Sequence, residues 1–501
     1  MVSTISFLGK LRPFNFFHIK TIQVALLIIL ISQTVIASSF QISASVNLPH
    51  DTLSNYYFEV DSVEIDEIIL VGNKVTKDRI ILRELDFHMG SKISTQNIKD
   101  YLEQEKNKVF NTDLFITVDL KGYPVDKDKV KIVIEVIERW YIYAVPLIDF
   151  ADRNFNEWWK DRNADLSRLE YGIKFKTRNF RGRKENLRID LLFGFTKNLY
   201  FKYDIPFINK KQTTGMSFAT GISQNRDIAY KSTGNKLTYT SADQVLIRRY
   251  NGEIGVGRRS HFYNSHNLTL KYSYQVITDS IAKLNPDYFL DGRTQQKYFE
   301  LSYSFTRDLR NIAGYPTKGF YTAFQITKKG LGIFDDLNLL QVHGTYSHFF
   351  DLGKNFYFAS GATGKMSLPK VQPYNQMRGL GYGQTFVRGF DLYVIEGQAF
   401  GLLKNTLRWK ALSGRQSLKK IMPLKQFSVI PYSIYPKVFF DTGYAKNSLV
   451  EIENEVLTNK PIWGTGVGLD LVSFYDSVFR VEYSLNSKME KNFFFYFSAS
   501  F

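Results

Sequence analysis

Few residues in this sequence have obvious chemistry to offer. Arg388 in Val387-Arg388-Gly389-Phe390 and Asp441 in Phe439-Phe440-Asp441-Thr442-Gly443 form a potential ion pair. A planar guanidinium can grip a carboxylate through two parallel hydrogen bonds, and an arginine held away from bulk water needs such a partner. Gly389 offers the positive φ or the close backbone approach that a tight loop tip requires. Arg480 and Glu482 alternate and could pair on one face of a strand. The seven histidines are scattered. Their nearest pairs, His261 with His266 and His343 with His348, are five apart, which places the members of a pair on opposite faces of a continuous strand. No metal site is expected from that spacing. The sequence holds no Gly-x-Ser-x-Gly elbow, no His-Glu-x-x-His and no phosphate-binding glycine loop followed by Lys-Ser/Thr. No catalytic residue and no cofactor are expected, and the chain reads as non-enzymatic.

What must position the arginine and the aspartate is a long train of strands. The 501 residues carry a formal charge of +17, 42 Phe, 31 Tyr and no cysteine, which rules out disulfides and thiolate metal sites and leaves ample apolar material for folding. The basic charge is distributed along alternating positions and loops with no clustered basic helix, so nucleic acid is not an expected partner. Residues 1–37 resemble a secretory signal peptide: Lys10, Arg12 and Lys20 without an acid, then an uncharged run, with cleavage expected after Ala37. Residues 38–62 read as a linker.

Residues 63–140 read as a compact β-α-α-β-β module. Thr76 and Ser94 are candidate helix caps, and Leu114–Leu120 and Val130–Val136 alternate as strands. Residues 141–168 read as a linker, with Trp158 and Trp159 at a membrane interface or simply packed. From 169 to 501 nearly every segment of about ten residues alternates apolar with polar or small side chains, as in Leu268, Leu270, Tyr272, Tyr274 and Val276 against Thr269, Lys271, Ser273 and Gln275. A soluble sandwich would have shorter strands and an inner face rich in Val, Ile and Leu. A transmembrane antiparallel β-barrel fits better, and the count of candidate strands is sixteen, beginning near 169 and including one near 236. The last strand places Phe493, Phe495, Phe497 and Phe501 on one face. Its free edge is expected to close against Tyr171 and Ile173 of the strand near 169. Gly464, Gly466 and Gly468 fit a strand packed against something bulky, such as the loop carrying Phe390.

These residues carry a resemblance. Val387-Arg388-Gly389-Phe390, the Phe-x-Asp-x-Gly of Phe439, Asp441 and Gly443, and Tyr315-Pro316-Thr317-Lys318-Gly319-Phe320 resemble motifs of the BamA/TamA-type outer-membrane assembly superfamily, which also includes two-partner secretion translocators. Residues 63–140 look like one POTRA domain of that superfamily. The resemblance implies an outer-membrane barrel with a periplasmic N-terminal domain, and a loop folded into the lumen with its arginine on the strand aspartate. It also implies an assembly or translocation factor, and a single POTRA-like module, where the best-known assembly proteins of the superfamily carry several, points to an accessory or lineage-specific one. Client segments would add to the POTRA edge at Leu114, Phe115, Ile116, Val118 and Leu120 and enter lipid at a seam lined by Tyr171, Ile173, Phe497 and Phe501. Expected partners are outer-membrane lipids, unfolded outer-membrane or secreted protein clients, and accessory periplasmic or lipoprotein partners. The alternative is a transport channel or a pore dedicated to one secreted polypeptide.

Overall fold

The computed structural model describes residues 60–150, 155–160, 163–194, 196–260, 263–334, 336–417, 429–449, 456–473 and 477–498. The signal peptide, most of the first linker, His261 and Phe501 lie outside the described residues.

The N-terminal module runs β1 (Ser62–Val71), α1 (Asp78–Leu82), β2 (Lys92–Ser94), α2 (Ile98–Phe110), β3 (Phe115–Asp126) and β4 (Lys129–Glu138). Its sheet order is β2-β1-β4-β3, with β1 parallel to β4 and β3 antiparallel to it. Ile65, Ile80, Ile81, Phe115, Ile132 and Ile134 are fully buried between the helices and the sheet, so the module has its own core. Neither expected cap forms: α1 begins behind Lys77 and α2 behind Asn97, without side-chain cap bonds. The Thr76 hydroxyl instead hydrogen-bonds the Tyr141 hydroxyl at 3.0 Å and accepts from Asn179 Nδ2 at 2.8 Å, tying the module to the next domain.

The remaining chain forms β5 (Ile142–Phe150), α3 (Phe155–Lys160), β6 (Leu169–Phe180), β7 (Glu185–Gly194), β8 (Thr196–Ile205), β9 (Thr214–Asn225), β10 (Asp227–Thr233), β11 (Lys236–Ser241), β12 (Ile247–Ser260) and β13 (Asn264–Ile277). It continues with α4 (Asp279–Leu284), β14 (Gln295–Asp308), β15 (Gly319–Lys329), β16 (Leu339–Gly353), β17 (Phe356–Leu368), β18 (Arg378–Leu380) and β19 (Ile395–Glu396). Last come β20 (Ala399–Trp409), β21 (Leu412–Ser417), β22 (Val429–Lys446), β23 (Pro461–Ser473), β24 (Val478–Asn486) and β25 (Lys491–Ser498). Apart from the separate pairs β10–β11 and β18–β19, these strands close into one antiparallel barrel in which β25 neighbours β5. Because β20 and β21 both pair with β22, they are two halves of one strand, and the wall has sixteen. Ile254, Val256, Leu268, Leu270, Val467 and Leu469 point outward and are exposed, and the residues between them face the lumen. No described helix is long and apolar enough to cross a membrane, so the apolar band belongs to strands.

Two expectations about the wall require correction. The strand near 236 is not in the barrel: β10 and β11 form a separate hairpin around Gly234 and Asn235, both at positive φ, and β9 pairs directly with β12. Two such residues make a tight hairpin turn, and the arms of seven and six residues are too short to span. The first wall strand is β5, inside the segment read as a linker, so Tyr171 and Ile173 sit on β6, one strand in from the closure. Pro146 and Asp149 interrupt the alternation of β5 and hide it. The two errors offset each other in the count.

Candidate functional site

The segment between β17 and β20 folds into the lumen, where it pairs β18 with β19 and buries Leu380, Val387, Phe390 and Ile395 against Phe400, Leu402, Ala445 and Ile462 of the wall. This apolar knot fixes the position of Arg388. Its Nε donates to Asp441 Oδ2 at 2.7 Å, its Nη2 donates to Asp441 Oδ1, and its backbone N–H reaches Oδ2 at 3.2 Å. The same Nη2 reaches Asn405 O at 3.2 Å and Thr406 Oγ1 at 3.0 Å. Asp441 is 0% exposed, so the pair is desolvated and held by charge-assisted bonds.

Strand periodicity explains the Phe-x-Asp-x-Gly spacing, since all three residues face the lumen along β22. The Phe439 ring lies 4.1 Å below the Arg388 guanidinium, Asp441 binds it, and Gly443 makes room for Val387, whose Cγ2 would stand 2.7 Å from an added Cβ. On β23, a Cβ at Gly464 would lie 1.8 Å from Arg388 O, so the wall is thinned there to admit the loop. Gly389 adopts φ +95° and its carbonyl accepts from Asn486 Nδ2 at 2.8 Å. Gly466 and Gly468 pack against Phe439 and Lys437, not against the loop.

Below this clamp runs a buried charge column. Lys437 Nζ is 2.6 Å from both Asp470 Oδ1 and Glu482 Oε1, and Glu482 Oε1 lies 3.8 Å from Arg388 Nη1. Arg480 pairs chiefly with Asp470, at 2.9 Å, and is only 3.8 Å from Glu482, the partner expected for it. Tyr315, from the turn before β15, donates to Asp470 Oδ2 at 2.9 Å, and the Tyr496 hydroxyl bonds Asp391. Lys437, Asp470, Tyr315, Asp391 and Tyr496 went unnoticed in the sequence as members of this site. Counting back four from Asp441, two steps of the strand period, would have found Lys437; the others depend on inter-strand register.

The remaining candidates are dispersed. Phe497 lies on β25, 67% exposed on the outer face, and Tyr171 and Ile173 are exposed on the outer face of β6. In the module, β3 is an edge strand, but Leu114, Phe115, Val118 and Leu120 are buried and Ile116 is half-buried. What the edge offers is therefore its backbone. At the far end of the lumen the β10–β11 hairpin covers the loop, with Asn235 O accepting from the Val394 N–H at 2.8 Å and Ser232 Oγ donating to Glu396 at 2.6 Å. Among the described residues no group of three His, Asp or Glu could hold a metal ion.

Sequence and structure comparisons bear on these features. A search among curated proteins finds no match. An Omp85 superfamily domain matches residues 179–499, and a surface antigen variable number repeat of POTRA type matches residues 63–139. Among solved structures, the chain is similar to CdiB from Escherichia coli, with 13% identity, a TM-score of 0.52, and coverage of 87% of this chain and 75% of that one. It is also similar to BamA from Haemophilus ducreyi lacking POTRA domains 1–3, with 16% identity, a TM-score of 0.49, and coverage of 87% and 84%. The end of the barrel carrying the N-terminal module is periplasmic, and the wall lies in the outer membrane. With a clamped loop, a matching barrel domain and a POTRA domain ahead of it, the chain belongs to the Omp85 superfamily.

Proposed function

We propose that this protein inserts unfolded polypeptides into the outer membrane, acting as an assembly factor without enzymatic chemistry or cofactor. A client segment adds to the exposed edge of β3, where backbone hydrogen bonds read extension without demanding a sequence. It then pairs at the closure between β5 and β25, entering lipid with its backbone groups satisfied. Any driving force comes from the client's own strand pairing and apolar burial.

The observation that carries this reading is the inequality of the wall. Over the described residues β5, β24 and β25 have nine, nine and eight residues, whereas β12, β13 and β14 have fourteen each. At ~3.3 Å per residue, eight residues reach about 26 Å and fourteen about 46 Å before tilt, so over the described residues the ladder is shortest at the closure. Pro146 also removes one backbone donor from β5. A lumen filled by the Arg388 loop disfavours free diffusion of solutes. The second reading, export of one dedicated polypeptide, draws on the same POTRA edge with passage through the lumen instead of the wall. Depletion followed by quantitative outer-membrane proteomics separates the two. The proposal expects several barrel proteins to fall together, and loss of one secreted protein with all barrels unchanged would overturn it.

A further inference from the structure

One stretch of the outer wall is bare of side chains. Register aligns Phe305, Phe324, Gly344, Gly364, Gly401 and Tyr444 across β14, β15, β16, β17, β20 and β22. Phe324 and Tyr444 are exposed on the outer face, so the whole row faces outward. Three glycines abreast thus stand where the flanking strands carry aromatic rings. The result is a groove of about 780 Å³, walled by Phe324 and Tyr346 on one side and by Leu403, Tyr444 and Pro461 on the other. Small-molecule sites span ~300–1,000 Å³, and the groove falls within that range.

The backbone does not call for these glycines. None of the three has positive φ. An added Cβ would meet nothing within 4 Å at Gly344 and Gly401, and at Gly364 it would meet only Phe400 O, at 3.4 Å. Gly443 and Gly464, by contrast, make room for the lumenal loop. Glycine inside a strand weakens it, and in this row the missing side chains serve no contact within the chain. What they leave is open space in a wall that lies in the outer membrane, and a mostly apolar furrow among lipid chains is filled by lipid and not by water.

The polarity of the groove follows from the register. Asn111 of the POTRA domain donates from Nδ2 to Asn311 O, in the turn before β15, at 3.1 Å, so the Gly319 end of β15 is periplasmic. The next outward row away from that end runs Ile326, Val342, Met366, Ala399 and Lys446. Lys446 therefore stands beside Tyr444 on the side of the outer leaflet, exposed and without an ion pair among the described residues. Lys460, also exposed, precedes Pro461 of the groove wall. Cations at that level attract the anionic part of a lipid whose chains lie below it. We infer that this groove is a lipid-binding site, holding an acyl chain of a phosphorylated outer-leaflet lipid with Lys446 at the phosphate. The site requires only that the wall lie in the membrane, and it stands apart from the insertion of clients.

The test is native mass spectrometry of the full-length protein in detergent, with diphosphoryl lipid A as the probe and the same lipid stripped of its phosphates as the comparison. Saturable binding of lipid A is expected, and binding roughly fivefold weaker after Lys446→Gln. Gly344→Leu and Gly401→Leu are expected to abolish it, because each adds a side chain to the groove at a position where the wall leaves space for one. Heat-modifiability of each variant on gels reports that the barrel is folded. Lipid A retained equally by both leucine variants, or not bound by the native protein, would overturn the groove. Equal binding of the dephosphorylated lipid, or binding indifferent to Lys446→Gln, would remove the headgroup contact and overturn the inference as stated. Paired barrels that separate in the leucine variants would give the groove to a second copy of the chain and equally overturn it.

Discussion

Replacing Arg388 by alanine removes a guanidinium that makes two bonds to Asp441 and one each to Asn405 O and Thr406 Oγ1. The Asp441 carboxylate, 0% exposed, keeps only the backbone N–H of position 388. Breaking one partner of a buried pair costs about 3–5 kcal/mol because the remaining charge is left uncompensated. The reciprocal change, Asp441→Ala, is milder, because Arg388 keeps Asn405, Thr406 and the more distant Glu482 carboxylate. Removing both partners leaves no orphaned charge. The double variant should then be less destabilised than the sum of the singles by about 1.5–3 kcal/mol. Urea unfolding of the four proteins in lipid vesicles, followed by tryptophan fluorescence, yields the cycle. Loop release is read independently: the chain has no cysteine, so Phe390→Cys is a unique probe, buried in the native protein and reactive to maleimide once the loop is out. Additive losses, or a probe equally unreactive with and without Arg388, would refute the clamp.

Gly464→Val places a side chain where a Cβ alone would stand 1.8 Å from Arg388 O, and should free the loop with its salt bridge chemically intact; maleimide reactivity of Phe390→Cys checks it. Glu84 is driven up by burial but further down by Lys184, Arg259 and Arg83, so its folded value lies below the ordinary 4.5. Its contribution to docking of the POTRA domain is therefore complete above pH 4.5 and lost as pH falls through the lower folded value, a dependence that Glu84→Gln should abolish in hydrogen exchange of the turn at 206–213. On the outer face, Leu403→Arg at a half-exposed position of β20 should cost about 2–4 kcal/mol if it lies near mid-membrane, whereas Ser304→Arg on the lumenal face of β14 should cost far less; the same urea assay compares them.

Much of this molecule is legible from residue alternation. Phe439, Asp441 and Gly443 share a face whatever their neighbours, and Gly389 must adopt a conformation that other residues resist, so the clamp could be assembled from two short stretches 53 residues apart. The charge column could not, because Lys437, Asp470 and Glu482 come from three strands and meet only when the register sets Lys437 beside Gly468 and Gly468 beside Glu482. The first wall strand is obscured by Pro146, which breaks the alternation and removes one ladder donor from β5. The hairpin at Gly234 and Asn235 showed the opposite failure: its alternation is genuine, but its length suits a cap and not a wall.

The circular order of the strands also has a kinetic consequence. Each other neighbouring pair is joined by a connection of about thirty residues or fewer, whereas Phe150 and Lys491, which flank the final join, are separated by 341 positions. On the logarithmic scaling of loop entropy, bringing those ends together costs about 3 kcal/mol more than closing a connection of about fifteen residues. The cylinder should zip up as successive hairpins and shut at this rung only when the rest is in place, and the ladder that is last to form is the first that thermal fluctuation can part.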